Sequence, residues 1–149
     1  MLGSLHIKDK IYQMLGKLIR DSGWEWVFTK AGVLTSGKVS SALNDGHIKR
    51  SRYTHQVSVA AFTIMKRKAY NQYSTEAWAK GQGLVKTFEK WSADCIEKYP
   101  MFFFWQLVID FQLLLMRFIR SLREGDFELH VQVCDELGDW AFAFDRPNY

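Results

Sequence analysis

The sequence predicts an all-α domain, an irregular bundle of about five to seven helices around a central apolar helix at about residues 101–123. Three observations support this class. Only two prolines, Pro100 and Pro147, occur in 149 residues, and both stand where a periodic pattern starts or stops. Apolar side chains recur with the 3.6-residue helical period in several segments. Apart from residues 1–5, no segment shows the alternation typical of a half-buried strand.

Length and composition favour one globular domain over residues 1–149. Hydrophobic residues make up 48% of the chain and aromatic residues 15%, which is too much large apolar surface for a solvated, disordered chain. A chain of this length also buries enough surface to form a core.

The first half of the chain predicts three helices. The first carries Ile7, Ile11 and Leu15 on one face and stops at Asp21-Ser22-Gly23, and residues 1–5 before it are expected to form a short strand remnant. A short second helix begins near Trp24, and a turn is expected at about residues 36–43. A longer helix is predicted from about Ser51 to Tyr73, with Ser51 as its N-cap.

The second half predicts three more helices. Thr75 and Glu76 are expected to open a weaker one, with Gly81 and Gly83 leaving a later start after Gly83 as the alternative. The central apolar helix follows from Met101. The last helix is predicted to begin at Asp126, a good N-cap, and to run to about residue 144.

The central apolar segment raises the question of a membrane. Of residues 101–119, 15 are apolar, which approaches the length of about 20 that crosses a bilayer. However, the segment also contains Gln106, Asp110, Gln112 and Arg117, and polar groups at mid-membrane are costly. A central buried helix is therefore the better interpretation. If Asp110 is buried in it, the carboxylate needs a hydrogen-bond or charge partner. A satisfied structural carboxylate, or one on a narrow exposed stripe, is favoured over a catalytic one.

Charge is unevenly distributed along the chain. Residues 1–75 contain 12 Lys and Arg against 4 Asp and Glu, whereas residues 76–149 contain 8 against 12. A basic first half suits a polyanion such as nucleic acid, and an acidic second half could serve a partner or simply solvate the surface.

The strongest candidate binding motif is HIKRSRYTHQ, residues 47–56, in which Lys49, Arg50 and Arg52 crowd a predicted helix start. Basic side chains and free backbone amides at a helix start could hold a nucleic-acid phosphate without reading base sequence. Residues 66–68 could extend this surface, through Lys66, Arg67 and Lys68. The alternative is that both basic groups are solvated or paired with acids from the second half.

Neither a metal site, a cofactor site nor a catalytic site is predicted. The four histidines and the cysteines Cys95 and Cys134 lack zinc-type spacing, and the sequence contains no P-loop, dinucleotide fingerprint or nucleophile elbow. The acidic residues after Arg123 are expected to be a solvated face. With no disulfide pattern and no secretory signal peptide, the expected location is the nucleus or the cytoplasm.

Several motifs in order resemble a family of large proteins from mobile-element-like reading frames in animal genomes, a domain-of-unknown-function family. They are GSLHIK, DSGW, HIKRSRYTHQVSVAAFTIMKRKAY and, after a variable stretch, FFFWQLVIDFQLLLMRFIRSLREGDFELHVQVCDELGDWAFAFDRPNY. The resemblance covers nearly the whole chain.

This family is similar to transposases of the ribonuclease-H-like type, whose acidic residues bind divalent metal. In its longer members the acidic motifs precede the counterpart of Gly3-Ser4-Leu5-His6 and follow that of Pro147-Asn148-Tyr149. The resemblance therefore implies a non-catalytic helical fragment, with the remainder of the parent protein as a natural partner. His6 would be the one candidate remnant of an active-site edge, with a structural role as the equal alternative.

Two functional hypotheses follow. The first is a transposase-like helical segment that binds DNA phosphate through the basic motif. The second is a helical protein-interaction module without nucleic-acid contact, which would use an aromatic surface around Trp24, Trp26 and Trp78.

Overall fold

Six α-helices contain most of the residues that the structure describes. The structure, a computed structural model, describes residues 2–38, 48–81 and 83–145. The helices are α1 (Leu2–Ile19), α2 (Trp24–Lys30), α3 (Ile48–Ala79), α4 (Phe88–Lys98), α5 (Pro100–Glu124) and α6 (Phe127–Asp145), with a 3-10 turn at Ser36–Lys38. No described residue lies in a strand. The predicted all-α helical bundle is confirmed.

The predicted strand remnant at residues 1–5 is wrong, because α1 begins at Leu2. A strand there would need a neighbouring strand for its backbone hydrogen bonds, and the described chain offers none. Extending the helix satisfies those groups locally. The predicted stop is confirmed: Asp21 and Gly23 have φ of 59° and 85°, and the Ser22 hydroxyl donates to the Ile19 carbonyl at 2.7 Å.

Helix α3 is longer than its apolar pattern predicts. It begins at Ile48 and runs for 32 residues, so Ser51 is a buried residue within the helix instead of its N-cap. Thr75 likewise lies inside α3, where its hydroxyl donates to the Asn71 carbonyl at 2.9 Å. The helix stops before Gly81, whose φ of 68° breaks the helical path. The alternative later start is the correct one for the next helix, α4.

Residues at the ends of α4, α5 and α6 explain their sharp boundaries. Tyr99 is extended (φ −123°, ψ 103°) because Pro100 follows it. Gly125 ends α5 with φ of 67°. The Asp126 carboxylate accepts a hydrogen bond from the Leu129 amide at 3.0 Å, as the predicted N-cap should. Of the turn predicted at about residues 36–43, the part from residue 39 lies outside the described residues.

Helix α5 is the central helix, as predicted. It packs against α1, α3, α4 and α6. Its side chains Phe111, Leu115 and Phe118 are fully buried and join a core with residues of α1 and α6, among them Leu15 and Val133. A second cluster packs Val108 of α5 against α1, α2 and the chain that follows α2. A helix with neighbours on most of its faces can be apolar nearly all round.

Helix α5 is also long and apolar enough to cross a membrane by length and composition, and among the described residues it is the one helix that is. Central helices of soluble bundles meet the same criteria, since they too are covered by apolar neighbours. The absence of a membrane partner stays a prediction.

Candidate nucleic-acid interface

Helices α3 and α5 lie side by side with a groove between them. Gln112 contacts His55 and Gln106 contacts Lys66, so the two helices run in opposite directions. The groove has a volume of about 750 Å³. The groove has an apolar floor and charged residues near one end. It is lined by Arg52, Gln56, Val59, Ala60, Thr63, Ile64, Leu113, Met116, Ile119, Arg120, Arg123 and Glu124.

The charged end of this groove is basic. Arg52 from α3 faces Arg120 and Arg123 from α5. A smaller adjoining cavity of about 240 Å³ brings Lys8 of α1 next to Arg52 and Arg123. We call Lys8, Arg52, Arg120 and Arg123 the basic cluster. One acid lies within it, Glu124, which accepts from the Arg120 guanidinium at 2.9 Å. Because three helices contribute to it, the bundle itself assembles the cluster.

Three of the four members of the basic cluster carry a charge without an ion pair. Lys8, Arg52 and Arg123 form none with any residue that the structure describes. Arg52 is half-buried, whereas Arg123 is exposed. Several like charges held together, with Glu124 as the one acid among them, produce a positive potential that attracts anions. The arrangement can therefore hold a phosphate or a carboxylate group.

The structure places the sequence-predicted basic residues in different surroundings. Arg52 belongs to the basic cluster. Lys49 and Arg50 lie in the first turn of α3, but their side chains are outside the described residues. Residues 66–68 are 14 or more positions further along α3, which places them about 21 Å or more from Arg52 along the helix axis. The two predicted basic groups therefore do not form one compact site.

Lys66 and Arg67 make contacts that stabilise the fold. The Lys66 ammonium donates to Oε1 of Gln106 at 2.7 Å and lies 5.1 Å from the Phe88 ring centre and 5.6 Å from that of Phe102. The Arg67 guanidinium stacks 4.1 Å above the same Phe88 ring. Burial lowers the pKa of Lys66. These cation–π contacts join α3 to α4 and α5, whereas Lys68 is exposed.

Asp110 lies on an exposed side of the apolar helix α5, where it also has hydrogen-bond and charge partners. Its carboxylate accepts from Nε2 of Gln106 at 2.8 Å, and Gln106 in turn accepts from Lys66. Partial burial raises the pKa of Asp110, while the Gln106 hydrogen bond and the Lys66 charge act in the opposite direction. The three side chains form a chain between α3 and α5, which supports a structural role for this carboxylate.

A buried polar layer holds the basic end of α3 against the core. His55 is fully buried, its Nδ1 lies 3.0 Å from Nε2 of Gln112, and its ring packs at 5.7 Å between Tyr12 and Trp24. The Trp24 indole N–H donates to the Ser58 hydroxyl at 2.9 Å. Burial lowers the pKa of His55 to about 4, so the imidazole is neutral near pH 7.

Sequence reasoning missed this layer, as well as Lys8, Arg120 and Arg123. The sequence does contain a signal for the buried layer: polar residues at positions 51, 54, 55 and 58 repeat with helical spacing. All four are buried in the structure. Arg120 and Arg123 stand in the last turns of the apolar helix, where they follow the usual preference of cations for a helix C-terminus. Only the packing of α5 against α1 and α3 shows that they meet Arg52.

A second polar chain links α5 and α6. Nδ1 of His130 lies 3.1 Å from the Ser121 hydroxyl, and Nε2 of His130 lies 3.7 Å from the Cys134 sulfur. Burial raises the pKa of both Cys134 and Cys95, so neither thiol is activated as a nucleophile. No group of three or more metal-ligating side chains occurs among the described residues.

The aromatic surface expected around three tryptophans is only partly present. Trp24 is 1% exposed and belongs to the core, because its ring stacks on Phe28. Trp26 and Trp78 are 66% and 80% exposed. The hypothesis of a surface that includes Trp24 is therefore wrong, and two exposed tryptophans remain as candidate contact residues.

Comparison with known proteins adds no relative. No protein-family model, no curated protein and no solved structure matches this chain.

Proposed function

We propose that this chain is a non-catalytic helical segment of a transposase-like protein and that it binds nucleic-acid phosphate at the basic cluster. The observation that carries the binding proposal is the convergence of Lys8, Arg52, Arg120 and Arg123 from three helices on one end of the groove. The transposase-like assignment rests on the ordered sequence motifs, including HIKRSR, which contains Arg52.

The chemistry of the cluster suits phosphate. A guanidinium presents several N–H donors in a plane and can bind two phosphate oxygens at once. Arg52 and Arg123 have no ion-paired acid among the described residues, so an incoming phosphate displaces no salt bridge from them. Contacts of this kind position a protein on a nucleic acid and do not read its bases. We therefore expect binding that depends strongly on salt and weakly on sequence.

The test is fluorescence anisotropy with a labelled DNA duplex of mixed sequence, titrated at several salt concentrations. We expect the triple variant Arg52→Gln, Arg120→Gln, Arg123→Gln to bind at least about tenfold more weakly at low salt. Its plot of log affinity against log salt should be shallower by about 2 to 3, since each lost phosphate contact removes about 0.9 from the slope.

A matched control removes the same charge elsewhere. Lys17, Lys68 and Lys80 are exposed, so Lys17→Gln, Lys68→Gln, Lys80→Gln lowers the net charge equally without touching the groove. Equal losses in both triple variants would show a response to net charge alone and would overturn the proposed site. A wild-type protein that does not bind DNA at low salt would overturn the function itself. The variant Lys49→Ala, Arg50→Ala leaves the basic cluster intact and therefore tests the predicted helix start separately.

A protein-interaction role is the second candidate, and one observation favours it. The outward face of α6 exposes large apolar side chains, with Phe127 at 78%, Val131 at 51% and Phe142 at 61%. Clusters of exposed apolar residues often mark contact surfaces. The test is a pull-down of the full-length parent protein by this chain. If the chain binds that protein through α6, the triple arginine variant should bind it as well as the wild type does. Loss of that binding on Val131→Ser with no loss on Lys17→Gln would support it.

A further inference from the structure

The outward face of α6 combines an apolar stripe with an acidic edge. Phe127, Val131, Gly138 and Phe142 repeat at spacings of four, seven and four residues, so they lie along one side of the helix. We call these four residues the α6 stripe. Asp135 and Asp139 lie beside it, one turn apart and both exposed. Neither forms an ion pair with a residue that the structure describes.

Gly138 is the unusual member of the stripe. Glycine is one of the poorest residues for the interior of a helix. Gly138 is exposed at the edge of the cavity between α1 and α6, and a Cβ added there would meet no atom within 4 Å, so no contact inside the described chain requires a glycine. Its φ is not in the left-handed region either. What a glycine does provide on an exposed helix face is a flat place where another helix can approach closely.

The groove between α3 and α5 has the complementary properties. Its floor is apolar, with Val59, Ala60 and Met116 among its residues, and its one end carries the basic cluster. Along α3 it extends from Arg52 to Ile64, about 18 Å at the helical rise. The α6 stripe from Phe127 to Phe142 is about 22 Å long by the same measure. The two surfaces thus match in length, in apolar character and in charge.

We propose that two copies of this chain associate head to tail, with the α6 stripe of one copy in the α3–α5 groove of the next. Asp135 and Asp139 of the first copy then face Arg120 and Arg123 of the second, and Gly138 permits close contact with the groove floor. The α6 helix of a given copy packs on its own α5 through Val133 and Leu137, so Phe127 and Val131 remain exposed on its outward side.

Such a contact joins two different surfaces of the same molecule. Each copy therefore carries both halves of the interface, and association depends on complementary charge. The contact goes beyond nucleic-acid binding and does not require it. Since Arg120 and Arg123 would take part in both, nucleic acid and the second copy compete for the same end of the groove.

The test is sedimentation equilibrium without nucleic acid, over concentrations from about 5 to 500 μM. We expect the mean mass to rise above 17.4 kDa with concentration, and to fall toward the monomer value as salt is raised, because exposed charges are screened. A protein that stays monomeric across this range at low salt would overturn the proposal.

Two variants separate the interface from the fold. Gly138→Gln places a side chain in open space and improves helix propensity, so the melting temperature should rise or stay unchanged. The same side chain blocks the close approach, and we expect association to weaken at least about tenfold. Gly138→Ala, which adds one methyl group, should weaken it less. Unchanged association in Gly138→Gln would contradict the proposed packing.

A mixing experiment identifies the occupant. Two double variants are made: Asp135→Lys with Asp139→Lys, and Arg120→Glu with Arg123→Glu. Each should be monomeric alone, because helix α6 and the groove then carry charges of the same sign. When they are mixed, the native helix of the second fits the native groove of the first, and heavier species should reappear. No recovery on mixing would refute the head-to-tail contact. DNA binding by Gly138→Gln at the wild-type level would show that nucleic-acid binding does not depend on this self-association.

Discussion

Acidification should destabilise this fold through one residue, His55. The imidazole is fully buried, and its pKa is lowered from 6.5 to about 4 by burial. In the unfolded chain the same side chain titrates near 6.5. Between these two values the unfolded state binds a proton that the folded state does not, so the free energy of unfolding must fall as the pH is lowered.

The size of the effect follows from the two pKa values. Each unit of difference corresponds to about 1.4 kcal/mol. The contribution of neutral His55 to the free energy of unfolding is complete above about pH 6.5. This contribution decreases by up to about 1.4 kcal/mol per pH unit as the pH is lowered toward 4. The full loss is about 3 kcal/mol. For a domain with a typical free energy of unfolding of about 5–15 kcal/mol, that is a large share.

The assay is urea denaturation followed by tryptophan fluorescence at several pH values from about 5 to 7.5, where few carboxylates titrate. His55→Gln should be less stable than the wild type at pH 7, since it loses the contact between His55 and Gln112. It should also lose most of the pH slope. His130→Gln is the matched control and should retain the slope. A wild-type stability that is flat from pH 7 to pH 5, or the same slope in His55→Gln, would refute the reasoning.

Three further predictions concern packing and capping. Ser58→Ala leaves the buried Trp24 indole N–H without its acceptor and should cost about 1–3 kcal/mol in urea denaturation; a change below about 0.3 kcal/mol would contradict the bond. Phe118→Ala opens a cavity in the core around α5 and should cost about 3–5 kcal/mol by the same measurement. Asp126→Ala removes the N-cap of α6 from the Leu129 amide and should cost about 1 kcal/mol, whereas Asp126→Asn should cost much less.

Local features of the sequence predicted most helix boundaries correctly. Gly125 and Asp126 end one helix and start the next, and Asp21-Ser22-Gly23 ends the first, because these residues act through their own backbone geometry or a hydrogen bond to a nearby amide. The predictions failed at Ser51 and Thr75, two other polar residues that were taken as boundary signals and that lie inside α3. Thr75 satisfies its hydroxyl within the helix, so the helix continues through it.

The candidate site was predictable only in part. Arg52 was identified because it stands in a dense basic motif, which is visible in the sequence. Lys66 belongs to an equally dense motif, but its ammonium group already contacts Phe88, Phe102 and Gln106. Those contacts come from residues more than 20 positions away in the chain. Local charge density does not distinguish an available cation from one that already holds the fold together.

The sequence by itself determined the helical class, the central apolar helix and the main turns, because helical period, glycine and capping residues act over a few neighbouring positions. Tertiary structure decided which polar side chains are buried and which cations stand together. His55 became a neutral core residue, and Arg120 and Arg123 came to face Arg52 across the groove. The reason is physical: burial and charge clustering depend on how α1, α3 and α5 pack, and that packing is set by contacts between distant parts of the chain.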